Sequence, residues 1–472
     1  MTKAQKIALV ALCSFAGLIR FYKLGEKQLW LDEIIQILHS TPSNIRELLT
    51  AVTEDRGGVP LDYLLQHFVI SLLGTTEFTA RLHAAIFGTL TIVVLYSLVK
   101  RLFEHDVAFL ATLLFAVYPL HHHYSQEGRP YALFTFLTVC SFISFLNVLQ
   151  KSGKQYWLIY ILNLTVLLYA NYFGIFVIFS QLAFALTLIF PKVRESFSVR
   201  QRVDARLLAK LGLASATAFA FLIPWIFFGI KTVYGYEPAP DVFGVKLISR
   251  IIRELGDQST LLGGIVVALA VIGIVQLARS RRYGHLSFLL CWAVLSLPFI
   301  LLLLWIKEYF FVGRQLLFMT PALFVLVAVG ISYLAESIKP RYKFLATAAV
   351  TVVLVVVSLS VIWNHIPEKS VDFKAAGQFL SQNVKAGDIV IAPKIEGVLI
   401  YYFPEMPQHT ISEAALNSDE IISAGRRVFI VECTYMTEAD RERMAAFKQR
   451  LADLVSQPTD FREIKITEMK GR

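Results

Sequence analysis

Cysteine is scarce in this chain, with four in 472 residues: Cys13, Cys140, Cys291 and Cys433. Three lie in apolar runs and the fourth stands alone near the C-terminus. Neither a disulfide framework nor a CxxC or zinc-type spacing exists. Charge is sparse too, with Asp, Glu, Lys and Arg making up 17%. Ionisable residues are nearly missing from the centres of the apolar runs. An ion-coupled carrier would need buried acids or broken helices near the bilayer midplane. Here the prolines inside apolar runs, Pro224, Pro298 and Pro321, each sit near an end. No repeats or low-complexity tracts appear.

What the chain has is apolar length. Hydrophobic residues make up 56% and the mean hydropathy is +0.59, which excludes an ordinary soluble globule and points to a multi-span membrane protein. The net charge of +10 suggests nucleic acid only until it is mapped. From residue 365 onward there are 14 Lys and Arg against 16 Asp and Glu, so the remainder carries +12, all of it between apolar segments. No nucleic-acid partner is expected.

Lys3 and Lys6 precede an apolar run over 7–19 with no small-residue cleavage site after it, so an uncleaved first span is expected. A polar first loop, 23–80, holds amphipathic pieces at 45–49 and 61–68 that suit helices lying along the interface. Further spans are expected at 82–99, 107–122, 131–149, 156–170, 172–190, 207–228, 259–278, 286–305, 316–335 and 344–363. With the first, that makes about eleven. Asn171 and Gly174 mark either a tight turn or a kink in one long helix. With the N-terminus inside, the cytoplasmic segments hold 18 basic and five acidic residues, against 13 and 14 in the external loops before 365. Retained basic residues set orientation. The expectation is a cytoplasmic (inner) membrane protein, N-terminus cytoplasmic and C-terminal tail external.

The tail, 365–472, reads as a small α/β domain, with strands at 388–392 and 427–431 and helices at 370–384 and 437–455. It shows no Gly-rich phosphate loop, and a lid or docking platform suits it better than catalysis.

The costly residues gather at the external ends of the spans. Adjacent acids follow the first span in Leu29-Trp30-Leu31-Asp32-Glu33, where a carboxylate at an apolar boundary suits proton transfer from a hydroxyl. An acidic pair capping an interfacial helix, with Trp30 in the aromatic belt, is the plainer reading of the same residues. Glu54 and Asp55 lie in the first loop, and Arg81 and His83 open the second span. The third ends in His121-His122-His123-Tyr124-Ser125-Gln126-Glu127-Gly128-Arg129-Pro130-Tyr131. Lys307 and Arg314 flank a later external loop. Arginine and lysine at such depth can snorkel to headgroups. A guanidinium there can also clamp a phosphate with paired donors. Successive side chains on a helix diverge by about 100°, so three consecutive histidines do not converge on one ion. No metal site is expected. The cofactor is unknown; a divalent metal is possible but not indicated by ligand spacing.

These motifs together resemble the PMT-like (dolichyl-phosphate-mannose–protein mannosyltransferase-like) members of the GT-C glycosyltransferases, which include the bacterial aminoarabinose transferases. Trp30-Leu31-Asp32-Glu33 looks like the family's first-loop acidic motif. Val59-Pro60-Leu61-Asp62-Tyr63-Leu64-Leu65 is similar to "PPLYYLL", with Val59 and Asp62 where proline and tyrosine are usual. Leu73-Gly74-Thr75-Thr76-Glu77 with Arg81-Leu82 follows "FG-x-SE…RL". Residues 124–133 are close to "YSQEARMYAL". Gly313-Arg314-Gln315-Leu316 with Pro321 looks like "RYL…P", with Gln315 where an aromatic is usual.

The resemblance implies an α-helical multi-pass GT-C fold, in a transmembrane catalytic domain at 1–364 and an external α/β domain at 365–472. It implies transfer of a sugar from a polyprenyl-phosphate donor to an acceptor hydroxyl on a lipid, glycan or protein outside the membrane, with inversion. Asp32 would be the base and Glu33 its electrostatic support. Arg129, Arg314 and Lys307 would bind the donor phosphate. Glu54, Asp55, Tyr124, Gln126 and Glu127 are candidate acceptor or substrate contacts. A transporter or flippase of lipid-linked sugars is the competing reading; it shares the arginines and needs no base.

Overall fold

The computed structural model describes residues 2–55, 58–197, 203–229, 245–307, 312–336, 338–364, 371–393, 395–408, 427–434, 436, 438–450 and 458–470. It divides into two compact units: Met1–Leu24 with Pro42–His365, and Gly25–Thr41 with Ile366–Arg472. The last boundary, 365/366, lies one residue from 364/365. The division also places 25–41, expected with the helical domain, together with the tail.

In chain order the helices are α1 (Lys3–Phe21), α2 (Leu31–Ser40), α3 (Ile45–Glu54), α4 (Pro60–Leu73), α5 (Glu77–Leu102), α6 (His105–Ala116), α7 (Pro119–Ser125), α8 (Tyr131–Gln150), α9 (Lys154–Ala170), α10 (Gly174–Thr187), α11 (Pro191–Glu195) and α12 (Ala205–Gly229). There follow α13 (Val245–Leu255), α14 (Thr260–Arg279), α15 (Tyr283–Ala293), α16 (Ser296–Lys307), α17 (Thr320–Glu336) and α18 (Pro340–Asn364). All but α2 belong to the first unit.

Among the described residues eight helical stretches are long and apolar enough to cross a membrane. The expected eleven-fold count meets breaks in the helices. The 107–122 stretch is cut at Val117-Tyr118-Pro119, where proline cannot continue the ladder and instead opens α7 at its first turn. The 156–190 stretch is two helices. Asn171 Oδ1 accepts from Phe173 N at 2.9 Å across the turn, and the Tyr160 hydroxyl donates to Gln181 Oε1 at 2.8 Å, so α9 and α10 fold back on one another.

Two features of this unit fix how its helices pack. Arg20 is wholly buried near the end of α1 and donates to the carbonyls of Ala16 and Ala116 at 2.9 and 3.1 Å and to Ser125 Oγ at 3.3 Å. Its Nη2 lies 2.9 Å from His121 Nδ1. A buried charge has to be hydrogen-bonded in this way, and here the bonds lash α1 to α6 and α7. Elsewhere α14 crosses α17 at Gly273 and Gly330. A Cβ on Gly273 would fall on the Leu326 carbonyl, and one on Gly330 on the Leu269 carbonyl. Small residues let two apolar helices approach to backbone contact.

In the second unit a four-stranded sheet has the order β1-β2-β4-β3, with β1 Ile389–Ile391, β2 Arg427–Cys433, β3 Thr459–Phe461 and β4 Ile464–Lys470. Strands β1 and β2 pair in parallel, and the other pairs are antiparallel. Helices α19 (Phe373–Asn383), α20 (Glu396–Leu399) and α21 (Glu438–Arg450) complete it. The expected helix start at Thr437 lies outside the described residues, as does 451–457. Arg427 joins β2 to Asp388 and Glu468 at 2.5 and 3.3 Å. The first-loop segment is bound into this unit by main-chain contacts. Gln28 Nε2 donates to Val371 O and its Oε1 accepts from Lys374 N, both at 3.3 Å, while Leu29 N donates to the Tyr402 hydroxyl at 3.0 Å.

Candidate active site

The turn between α3 and α4 supplies the first part of the site. Asp55, the C-cap of α3, accepts from the Tyr63 hydroxyl and from Arg129 Nη1, the latter at 3.3 Å. Gly58 makes the turn possible, because a Cβ there would meet the Val52 carbonyl oxygen at 2.6 Å. Trp225 Nε1 donates to the Gly58 carbonyl at 3.3 Å and to the Tyr172 hydroxyl at 3.2 Å, tying α12 to the turn. Burial pushes the Tyr63 phenol well above its usual range; Arg129 opposes that and Asp55 adds to it. Tyr63 is therefore a neutral donor to Asp55. Glu54, one residue earlier, is exposed.

Next along α4, Asp62 Oδ1 lies 3.2 Å from His83 Nε2 of α5, both side chains almost wholly buried. Gln66 Nε2 donates to the Ala80 carbonyl at 3.0 Å. Gly128 packs against the same carbonyl, where a Cβ would stand 2.7 Å away. This contact seats the Arg129 loop on the start of α5.

The loop from α7 to α8 holds three of the expected residues, Gln126, Glu127 and Arg129. Gln126 Nε2 donates to the carbonyls of Arg20 and Tyr22 at 3.1 and 2.9 Å, capping α1. Glu127 is buried, and its carbonyl accepts from Arg129 N at 2.8 Å. The three histidines diverge. His121 meets Arg20, His122 Nε2 lies 3.0 Å from the Ile19 carbonyl, and His123 turns toward acids. Its Nε2 is 3.6 Å from Glu127 Oε2 and its Nδ1 is 3.4 Å from Asp257 Oδ1. Burial alone would lower its pKa, but contact with Asp257 and Glu127 outweighs that and raises it from 6.5 to about 10. His123 is an imidazolium at neutral pH.

Arg314 is half-buried, and its guanidinium carbon lies 5.5 Å from the centre of the Tyr131 ring. Tyr131 packs edge-on to Tyr124 at 5.1 Å, and Tyr124 stacks on His123 at 4.8 Å. Burial raises the Tyr124 phenol well above its usual range, with Glu127 adding and Arg314 opposing. The backbone beside Arg314 is held from the turn before α14. Glu254, buried, accepts from Gly313 N at 2.7 Å through Oε2 and from Gln258 Nε2 at 3.2 Å through Oε1. Asp257 and Gln258 both have left-handed backbones, with φ of 50° and 73°. Each such residue with a Cβ costs about 1–2 kcal/mol, a strain typical of functional turns. Lys307 ends α16, and its side chain and residues 308–311 lie outside the described residues.

Arg129 and Arg314 thus stand on one frame of tyrosines, carboxylates and an imidazolium, built from α3, α4, α7, α8 and the turns before α14 and α17. Planar guanidinium forks in such a frame suit the oxygens of a phosphate. Sequence reasoning passed over Glu254, Asp257 and the role of Tyr63. The only signal for the first two was a pair of acids around a glycine, Glu254-Leu255-Gly256-Asp257, ahead of an apolar run. Among the described residues no group of three or more His, Cys, Asp and Glu is placed to hold a metal ion.

Asp32 and Glu33 lie in the other unit, on α2. Glu33 is buried and its Oε2 accepts from Trp30 N at 3.3 Å, capping the helix that carries Asp32, which is half-buried.

Residues 58–228 match the family described as dolichyl-phosphate-mannose-protein mannosyltransferase. No curated protein sequence matches the chain significantly. Solved structures do match in fold. ArnT from Cupriavidus metallidurans in the apo state is 13% identical, with 99% of this chain and 98% of that one covered at a TM-score of 0.65. The same protein bound to undecaprenyl phosphate gives 13% identity, 97% of each chain and 0.60. The archaeal oligosaccharyltransferase AglB from Archaeoglobus fulgidus, in complex with an inhibitory peptide and a dolichol-phosphate, gives 12% identity over 94% of this chain and 72% of that one, at 0.56. The chain thus carries a mannosyltransferase-family region at 58–228 within a helical fold shared with ArnT and AglB.

Proposed function

We propose that the protein transfers a sugar from a polyprenyl monophosphate to an acceptor hydroxyl on the external side of a bacterial-type cytoplasmic membrane, inverting the anomeric centre. The observation that carries this reading is the series of contacts that runs from Arg129 through Glu127, His123, Tyr124 and Tyr131 to Arg314, in a chain whose fold is similar to that of ArnT bound to undecaprenyl phosphate. The acceptor oxygen attacks the anomeric carbon. The bond from that carbon to the phosphate oxygen breaks, and the electron pair leaves with the polyprenyl phosphate. Asp32 takes the hydroxyl proton, and Glu33 fixes the helix that presents it. Arg129 and Arg314 hold the departing dianion, whose growing charge they stabilise more than the donor's ground state. Asp55, held by Tyr63 and Arg129, is placed to steer Arg129 or to contact the acceptor. One base and two cations suffice because the phosphate is already a good leaving group.

The test is incubation of purified protein in nanodiscs with a panel of polyprenyl-phosphate sugars and candidate acceptors. Release of polyprenyl phosphate, with a glycoside of opposite anomeric configuration, supports the reading. Movement of lipid-linked sugar across the bilayer without cleavage would replace it with the flippase.

A further inference from the structure

The histidine triplet leaves one member, His123, unexplained by catalysis, and its surroundings form a closed circuit. Starting at Arg129, its N–H donates to the Glu127 carbonyl at 2.8 Å. The Glu127 carboxylate lies 3.6 Å from His123 Nε2, and His123 Nδ1 lies 3.4 Å from Asp257. Asp257 N donates to the Glu254 carbonyl at 3.1 Å, and the Glu254 carboxylate accepts from Gly313 N at 2.7 Å, one residue before Arg314. A second path returns through rings: Arg314 over Tyr131, Tyr131 against Tyr124, Tyr124 stacked on His123. The two paths diverge at His123 and meet again at Arg314.

The acids are positioned for this contact at a cost. Asp257 reaches His123 from a left-handed backbone at φ 50°, followed by another at Gln258. Gly256 before them admits no Cβ, which would fall on the Ser259 carbonyl. The turn is also pinned from α6–α7, where the Tyr118 hydroxyl donates to the Leu255 carbonyl at 2.9 Å. Two carboxylates brought together at a buried turn need a cation between them. A neutral side chain at 123 would leave Glu127 and Asp257 repelling one another and free the two loops to part.

We infer that His123 is a positioning residue: its imidazolium clasps Glu127 to Asp257 and so sets the spacing of Arg129 and Arg314 for one phosphate. This rests on the reading of those arginines as donor-phosphate ligands. It makes His123 act through the arginines, without touching substrate. Phosphate binding by two guanidinium groups requires both at once, so loosening the clasp weakens affinity for the lipid phosphate and leaves the chemical step nearly intact.

The experiment uses the full chain in nanodiscs, wild type against His123→Phe, which keeps a ring on Tyr124 and breaks both acid contacts; His123→Gln serves as the milder variant should the first fail to fold. Amide hydrogen exchange is followed over 312–316 and 254–258, and binding of undecaprenyl phosphate is measured alone and in an Arg314→Ala background. The clasp predicts faster exchange in both segments and binding weaker by about tenfold. In the Arg314→Ala background the same change should cost less than about twofold, because the two positions are coupled. Unchanged exchange in a folded variant, or losses that multiply fully, would overturn it. If the wild type binds no undecaprenyl phosphate while exchange still responds, the clasp stands and the donor reading falls.

Discussion

Arg314 lies half-buried over the Tyr131 ring, with Tyr124 and His123 next in line. Arg314→Ala removes a proposed phosphate ligand without disturbing a helix, so its expected effect is on donor affinity: KM for the lipid substrate rises by about tenfold or more, with a smaller fall in kcat. An unchanged KM would return Arg314 to the role of a headgroup anchor. The imidazolium at His123 has a pH signature of its own. Its pKa in the folded protein, about 10, lies above its ordinary 6.5. Between those values the folded state binds more protons than the unfolded one, so stability falls as pH rises through that window. The contribution is complete below about 6.5 and gone above about 10. Thermal unfolding of the wild type should lose midpoint temperature over that range, and His123→Phe should lose less. Parallel curves would show that the imidazole carries no such charge. Asp55 and Glu127 were legible as candidate contacts because acids at a span's end are costly. Their partners were not, since Tyr63 lies 8 residues from Asp55 and Asp257 lies 130 or more residues from Glu127 and His123. Gln126 shows the opposite limit. It sits inside the motif, yet its amide is taken up by the carbonyls ending α1.

At the scale of elements, the frame depends on how closely α14 and α17 cross. The turn bearing Glu254 and Asp257 precedes one, and Arg314 precedes the other. Gly330→Ala would drive a Cβ onto the Leu269 carbonyl. Overpacking of this kind costs about 1–3 kcal/mol, and because it spreads the two helices it should also weaken undecaprenyl phosphate binding. A variant with wild-type unfolding temperature would show that the contact is looser than described. Most helices could be read from apolar runs alone. Their breaks could be read only where a proline marks them, as at Pro119, or an Asn–Gly pair does, as at Asn171 and Gly174. In the tail, two strands showed as apolar runs. The hairpin of β3 and β4 did not, because β4 mixes its buried Ile464, Ile466 and Met469 with Lys465, Thr467 and Glu468, which breaks up the apolar run. Its turn uses Glu463 at φ 60°, with no glycine to announce it.

For the whole molecule, the boundary of the units bears most on function. The acidic motif, Asp32-Glu33, belongs to the unit that contains the sheet, held by Gln28, Leu29 and Tyr402. The tail therefore does more than follow the helical domain; it builds the scaffold on which α2 stands. The sequence offered no sign of this, because the contacts span more than 340 residues and run through backbone groups. Asp32, on α2, is the base of the proposed mechanism. The most direct measurement is single-turnover release of undecaprenyl phosphate from an accepted undecaprenyl-phosphate sugar, in the presence of acceptor, by wild type and Asp32→Asn at equal donor occupancy. The account predicts a rate lower by about 10²–10⁴ in the variant, with donor affinity unchanged within about twofold. Wild-type rates from Asp32→Asn, with the donor bound normally, would contradict it.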